Sequence, residues 1–246
     1  MKNYILAENI KHKHTFLIKL LWMIPVVILF VSFVLMSNYF TVNAYNWWYV
    51  LLLPATFALI PGMMHRKEDK KLHYRAVFPL SIDLKKMWIA KIWTALAYVG
   101  LIATIHLLGA FGLQFLIGKQ LTANYTFMTL LVASIVLVLT NIWQIPFCFF
   151  LAKKFGMIMS VIINATLGFA LGAVLAPKAV WIYCPYAWGM RSMIPLMHIL
   201  PNGVPVKESH ALIANTSIII PCILSVALFI VLAGLTAQWF SKQEVK

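Results

Sequence analysis

Residues 65–91, HRKEDKKLHYRAVFPLSIDLKKMWIAK, hold eight of the chain's twenty Lys and Arg residues, and they lie between two stretches almost free of charge. On one side residues 47–64 are apolar; on the other, residues 92–117 are. A polar segment with such neighbours reads as the connection between two membrane spans. The composition agrees: 63% hydrophobic and only 11% charged residues are values that water-soluble domains do not reach.

Crossing about 30 Å of hydrocarbon takes roughly 20 helical residues. Apolar runs of that order occur six times, at 16–36, 47–64, 92–117, 126–151, 157–176 and 217–240. The expected fold is therefore an all-α integral membrane protein, one transmembrane domain over residues 1–246 with six spans. The first run continues too far, and lacks a small-residue cleavage site, to be a removed signal peptide. Pro25, Pro54, Pro61, Pro146 and Pro221 fall within the runs, where kinks are expected and breaks are not.

The formal charge of +14 invites a nucleic-acid reading, but the basic residues sit between apolar runs, where they set orientation and attract anionic headgroups. No nucleic-acid partner is expected. Placing the N-terminus inside puts sixteen Lys and Arg residues on the inner side and leaves Lys119, Lys178, Arg191 and Lys207 outside. Both termini and the 65–91 loop are thus expected in the cytoplasm of a multi-pass plasma-membrane protein. The longest outer segment, 177–215, joins the last two spans.

The six acidic residues, Glu8, Glu68, Asp69, Asp83, Glu208 and Glu244, all fall outside the apolar runs. An embedded carboxylate would mark ion-coupled transport by default, and none is expected here. No H-E-x-x-H pair is present, and no metal is expected. GLQFLIGKQ fails as a phosphate loop: five residues separate Gly112 and Gly118, and Gln120 replaces the magnesium-binding Ser or Thr. The chain is expected to be no enzyme and to bind no cofactor. Cys148, Cys184 and Cys222 lack C-x-x-C spacing and read as buried thiols.

Within the loop, Pro79 stops what precedes it, Ser81 offers an N-cap and Asp83 falls near a first turn, so a helix is expected to restart near Ile82. Residues 65–78 read as a separate polar segment along the membrane face. Two readings are open: a solvated loop whose Lys and Arg attract lipid, or a docking surface for another protein. At the N-terminus, Tyr4, Ile5, Leu6 and Ile10 alternate with Lys2, Glu8, Lys11 and Lys13, which suits a short interfacial helix turning near 13–15.

Glu8-Asn-Ile-Lys11, the basic cluster after it, Thr15-Phe16, Lys19-Leu20 and Pro25 resemble the start of ABC-2 type exporter permeases, especially those giving Gram-positive bacteria immunity to lantibiotics. FPLSIDLKKMWIAK is similar to their loop between second and third helices. The resemblance covers essentially the whole chain. It implies a type V exporter-like permease with an interfacial elbow helix carrying Glu8, Lys11 and Lys13, and a coupling helix within 65–84. Coupling to the ATPase is expected at Pro79, Leu80, Ser81, Asp83, Lys85 and Lys86. It further implies two ABC ATPase subunits, which bind the ATP and Mg, and a second permease chain, identical or homologous. The substrate implied is a lantibiotic-type antimicrobial peptide expelled from the membrane; other lipid-like or drug substrates such as bacitracin, a non-transporting adaptor or sensor, and a gradient-driven carrier are the alternatives.

Trp181, Tyr183, Tyr186, Trp188 and Arg191 crowd the outer segment, either as an aromatic belt or as a surface that meets substrate or closes the exit. Asn141, Gln144 and Cys148 share one face of the fourth run, and Asn164 lies in the fifth. These amides are either interhelical links or a polar translocation face. His106 reads as a packing residue. Gly168, Gly172 and Ala176 form a small-residue ridge, offered as helix packing and as part of a permease dimer contact.

Overall fold

The computed structural model describes residues 1–72, 82–117 and 123–243, with side chains for all of these except 69–72. The described residues are almost entirely helical; their one β-bridge joins Ile199 to Pro205. Short α1 (Lys2–His12) turns at 13–15 into α2 (Phe16–Leu35), the first span. A 3-10 turn at Ser37–Tyr39, α3 (Phe40–Trp47), a π turn at Trp48–Leu52 and α4 (Leu53–Leu72) follow as one rod, of which Ser37–Glu68 is apolar enough to cross a membrane. Pro54 accounts for the π turn: it has no N–H for the carbonyl four residues back, its ring crowds that carbonyl, and a wider turn relieves both.

The second span therefore does not end at residue 64. The helix runs on through Leu72, so the first part of the basic loop is a continuation of the span and not a separate segment. On the other side, α5 (Leu84–Ile117) begins well before residue 92. Its 34 residues make a rod about 50 Å long, more than the hydrocarbon needs, and the excess projects at the basic end.

The fourth run is broken rather than kinked. α6 (Phe127–Asn141) and α7 (Gln144–Phe155) meet at 47° across Ile142 and Trp143. Pro146 is the physical reason: it cannot donate to Ile142, whose carbonyl instead takes the N–H of Ile145 in a tighter turn. Five helices are long and apolar enough to cross a membrane, and six with this bent pair counted as one span.

After Gly156, at φ 86°, come α8 (Met157–Leu167), a second π turn at Gly168–Gly172 and the brief α9 (Ala173–Leu175). The outer segment forms α10 (Pro185–Met197), a small hairpin around 198–206 and α11 (Ala211–Ala214), before α12 (Ile219–Ser241) closes the chain's described part. Pro221 sits in the first turn of α12, where its missing N–H has no partner to lose. α4 packs on α7 and α8, α10 on α6 and the second π turn, α2 on α5, and α12 across α5, α6 and α7. Trp48, Trp88, Tyr45, Phe40, Phe57, Phe149 and Phe240 fill the centre. Trp22, Phe30, Ile223, Ile230 and other large apolar residues face outward from α2 and α12, as a lipid surround requires.

Candidate functional site

The basic end of the bundle is organised by charges from three helices. Glu8 and Lys11 lie one turn apart on α1, which packs along α5. Lys11 Nζ is 2.6 Å from Glu8 Oε1 and 2.8 Å from Glu68 Oε1 on α4. Lys91 of α5 pairs with the other oxygen of Glu68 and stands 3.9 Å from Glu8 Oε2. Glu8 and Lys91 are each 1% exposed, which makes this a buried and charge-balanced cluster. The two acids are thus not solvated loop charges, and Glu68 ends a span with its carboxylate turned into protein.

Neighbouring contacts reinforce the same junction. Lys67 Nζ donates to the carbonyl of Lys11. The Tyr98 hydroxyl donates to Asn9 Oδ1 at 2.7 Å, and the Asp83 N–H donates to the Tyr4 hydroxyl at 3.2 Å. Burial alone would lower the pKa of Lys11, but Glu68 and Glu8 outweigh it and raise it. Burial, with Lys91 and Lys67 adding to it, pushes His12 down to about 4. Lys13, the third elbow residue, is exposed at the end of α1.

Of the loop residues expected to couple, Pro79, Leu80 and Ser81 lie outside the described residues. The helix start falls at Leu84, and the N-cap is Asp83, not Ser81. Asp83 Oδ1 accepts the Lys86 N–H at 3.1 Å, and this bond, with the Lys86 ammonium 3.1 Å away, holds the exposed carboxyl below its ordinary pKa. Lys85 and Lys86 are exposed at the first turn of α5.

A second polar group lies in the middle of the bundle, where the broken helices meet. Gln144 Nε2 donates to Asn141 Oδ1 at 2.6 Å, and Asn164 Nδ2 donates to both Gln144 Oε1 and the Pro54 carbonyl at 2.7 Å. The Tyr186 hydroxyl donates to Asn164 Oδ1 at 2.8 Å, and Asn141 Nδ2 donates to the Leu137 carbonyl. These contacts tie α4, α6, α7, α8 and α10 together. Asn164 and Gln144 are wholly buried with partners for both ends of their amides, so the arrangement is an interhelical link and not an open polar path.

The small-residue ridge is used inside the chain. A Cβ on Gly168 would lie 2.8 Å from the ring of Pro54, and one on Gly172 would lie 2.9 Å from the Tyr186 carbonyl. Ala176 is fully buried and its carbonyl accepts from Arg191. The ridge brings the second π turn against α4 and α10; it is not free to meet another chain.

The outer aromatic residues are likewise mostly internal. Trp181, Tyr186, Trp188 and Arg191 are buried, whereas Tyr183 is 85% exposed. Neither a belt nor an open surface describes them, because α10 is tucked among α6, α12 and the second π turn. Arg191 donates to Thr216 Oγ1 at 2.7 Å and the Ala176 carbonyl at 3.1 Å, with its guanidinium 5.4 Å from the centre of Trp181. His106 stacks on Trp48 at 4.9 Å, and its Nε2 lies 3.3 Å from the Ala44 carbonyl, an acceptor; it packs as expected.

Two links were not anticipated. Gln114 joins Thr41 to Tyr125, whose hydroxyl donates to the Met197 carbonyl, and Asn46 with Tyr49 holds the carbonyls at Leu200 and Pro201. Together they pin the far-end hairpin to α3 and α5. Among the described residues no three His, Cys, Asp or Glu side chains converge to hold a metal ion, and all three cysteines are free, with Cys148 buried. Comparison with family models, curated proteins and solved structures found no match.

Proposed function

We propose that the chain is the membrane-spanning subunit of an ATP-driven exporter of the ABC-2 type, working in the plasma membrane with its basic end in the cytoplasm. One observation carries the reading. The Glu8, Lys11, Glu68 and Lys91 cluster fastens α1 to both helices that flank the basic loop. A push on residues 73–83 therefore reaches three helices together.

In this mechanism two ATPase subunits, which hold the ATP and Mg, dock on the loop around 79–86, beneath this chain and a second permease chain. Their closure displaces the loop, and α4 carries the displacement to Pro54, the π turn and the amide link. Because interfaces between packed helices have discrete arrangements, a shift there selects between two states of the bundle. α10 and Arg191 stand at the far end, where such a shift opens or closes the exit. The substrate is a lantibiotic-type peptide drawn from the membrane and released outside, in line with the resemblance of residues 8–25 and 78–91 to immunity permeases. A gradient-driven carrier is the second reading, favoured by the buried carboxylate of Glu68. ATP-dependent transport in vesicles that is indifferent to proton and sodium gradients supports the exporter.

Co-purification followed by ATPase measurement tests the coupling. Replacing Pro79, Lys85 and Lys86 together is expected to change the ATPase rate of the complex several-fold; a complex without an ATPase, or one with an unchanged rate, sinks the proposal. Survival against several lantibiotics and bacitracin, with and without the chain, tests the substrate class. Equal sensitivity to all of them removes the immunity reading.

A further inference from the structure

A pocket of about 360 Å³ opens at the basic end between the α1–α2 turn and the foot of α4, lined by His12, Thr15, Phe16, Leu17, Met63, Arg66 and Lys67. Its lining is divided by chemistry. Phe16, Leu17 and Met63 are apolar and belong to the first turn of α2 and the end of the second span. Arg66, Lys67, His12 and Thr15 form the polar half, one turn nearer the basic loop.

Among the described residues neither cation of that half, Arg66 or Lys67, has an ion-pair partner. Among the described side chains the nearest acids, Glu8 and Glu68, are engaged by Lys11 and Lys91. Among the described residues Arg66 has no ion-pair partner, and it is exposed. Lys67 is held beside α1 through the Lys11 carbonyl, which uses one of the three donors of an ammonium. His12, 2% exposed, stands in the wall with its Nε2 lacking any hydrogen-bond partner.

We infer that this pocket binds one acidic phospholipid, with its phosphate between Arg66 and Lys67 and an acyl chain descending between Phe16 and Met63. The charge calls for an anion and the apolar half for a hydrocarbon tail, and a phospholipid supplies both. Phe16 is 55% exposed and continues into the outward apolar face of α2, so the tail has a path into the surrounding bilayer. The lipid would join the α1–α2 turn to α4 at the same level as the ion cluster, independently of any ATPase.

The test uses the full chain in detergent, with thermal unfolding and native mass spectrometry. Phosphatidylglycerol is expected to raise the Tm and remain as a one-to-one adduct, while phosphatidylcholine with the same acyl chains does neither. Each basic residue contributes about 1 kcal/mol to holding an anionic headgroup, so Arg66→Gln with Lys67→Gln should weaken the adduct about 10- to 30-fold. Arg66→Lys with Lys67→Arg should retain it, as should the far-end control Lys178→Gln with Lys207→Gln. Met63→Trp, which fills the apolar half without touching charge, should displace the lipid too. Equal retention of phosphatidylcholine, equal loss in the far-end control, or the same Tm rise from inorganic phosphate alone would overturn the inference.

Discussion

Lys91 sits at a position where a charge survives only because its neighbours are charged. It is 1% exposed, against Glu68 and 3.9 Å from Glu8, so removing it leaves the two acids with Lys11 as their one ion-pair partner among the described residues. Lys91→Met is expected to destabilise the fold by about 3–5 kcal/mol, the usual result of breaking one side of a buried pair. Adding Glu68→Gln restores the balance of Glu8 with Lys11 and should recover most of the loss, which thermal unfolding of both variants would measure. A double variant as unstable as the single would mean that Lys91 acts through packing. In the sequence Lys91 looked like one more orientation charge. Its partner was hidden because Glu68 lies in another helix, yet part of the signal was there: Trp88, Lys91, Ile92 and Ala95 fall on one helical face, and all are buried. The amides fared better in part: Asn141 and Gln144 do meet, but across the break between α6 and α7 and not on one face of a continuous helix, while Tyr186 and the Pro54 carbonyl needed the fold to join them.

At the scale of elements, apolar length was easy to read and helix ends were not. Continuation of α4 to Leu72 through Arg66, Lys67 and Glu68 defies a search for apolar runs, because those charges leave hydrocarbon without leaving the helix. Pro146 was visible, but whether it bends or breaks a helix depends on what packs against the freed carbonyl. The docking of α1 depends on acidity through His12. Its pKa of about 4 when docked lies below the ordinary 6.5, so between these values the undocked helix takes up a proton that the docked one refuses. Docking is at full strength above pH 6.5 and weakens by about 1.4 kcal/mol for each unit below it, until near pH 4. Burial is the main cause, Lys91, Lys67 and Lys11 work in the same direction, and Glu68 opposes them. Protection factors for the amides of residues 2–12, with exchange corrected for its intrinsic pH dependence, should fall between pH 7.5 and 5, and His12→Asn should flatten that response.

For the whole molecule, both described ends of the chain lie beside the helices that flank residues 73–81: α1 meets Glu68 and Lys91, and Phe240 near the end of α12 stacks on Trp88 of α5 at 4.3 Å. Sixteen basic residues against four predict that this end faces the cytoplasm. With Cys148, Cys184 and Cys222 replaced by Ser, an impermeant maleimide on intact cells should label Tyr183→Cys at once and Lys13→Cys only after lysis. The reverse pattern would invert the topology. That five or six apolar helices make up one bundle was readable from hydropathy, whereas the internal use of α10 and of the glycine ridge was not, because aromatic and small residues look alike on free and on packed faces. The ion cluster also sets a condition on biogenesis. Glu8, Lys11 and Glu68 leave the ribosome before Lys91, so the buried cluster is incomplete until the first turns of α5 are made. The first three spans are then committed to assemble as a unit, and a chain stalled before residue 91 would expose its N-terminal helix to quality-control proteases.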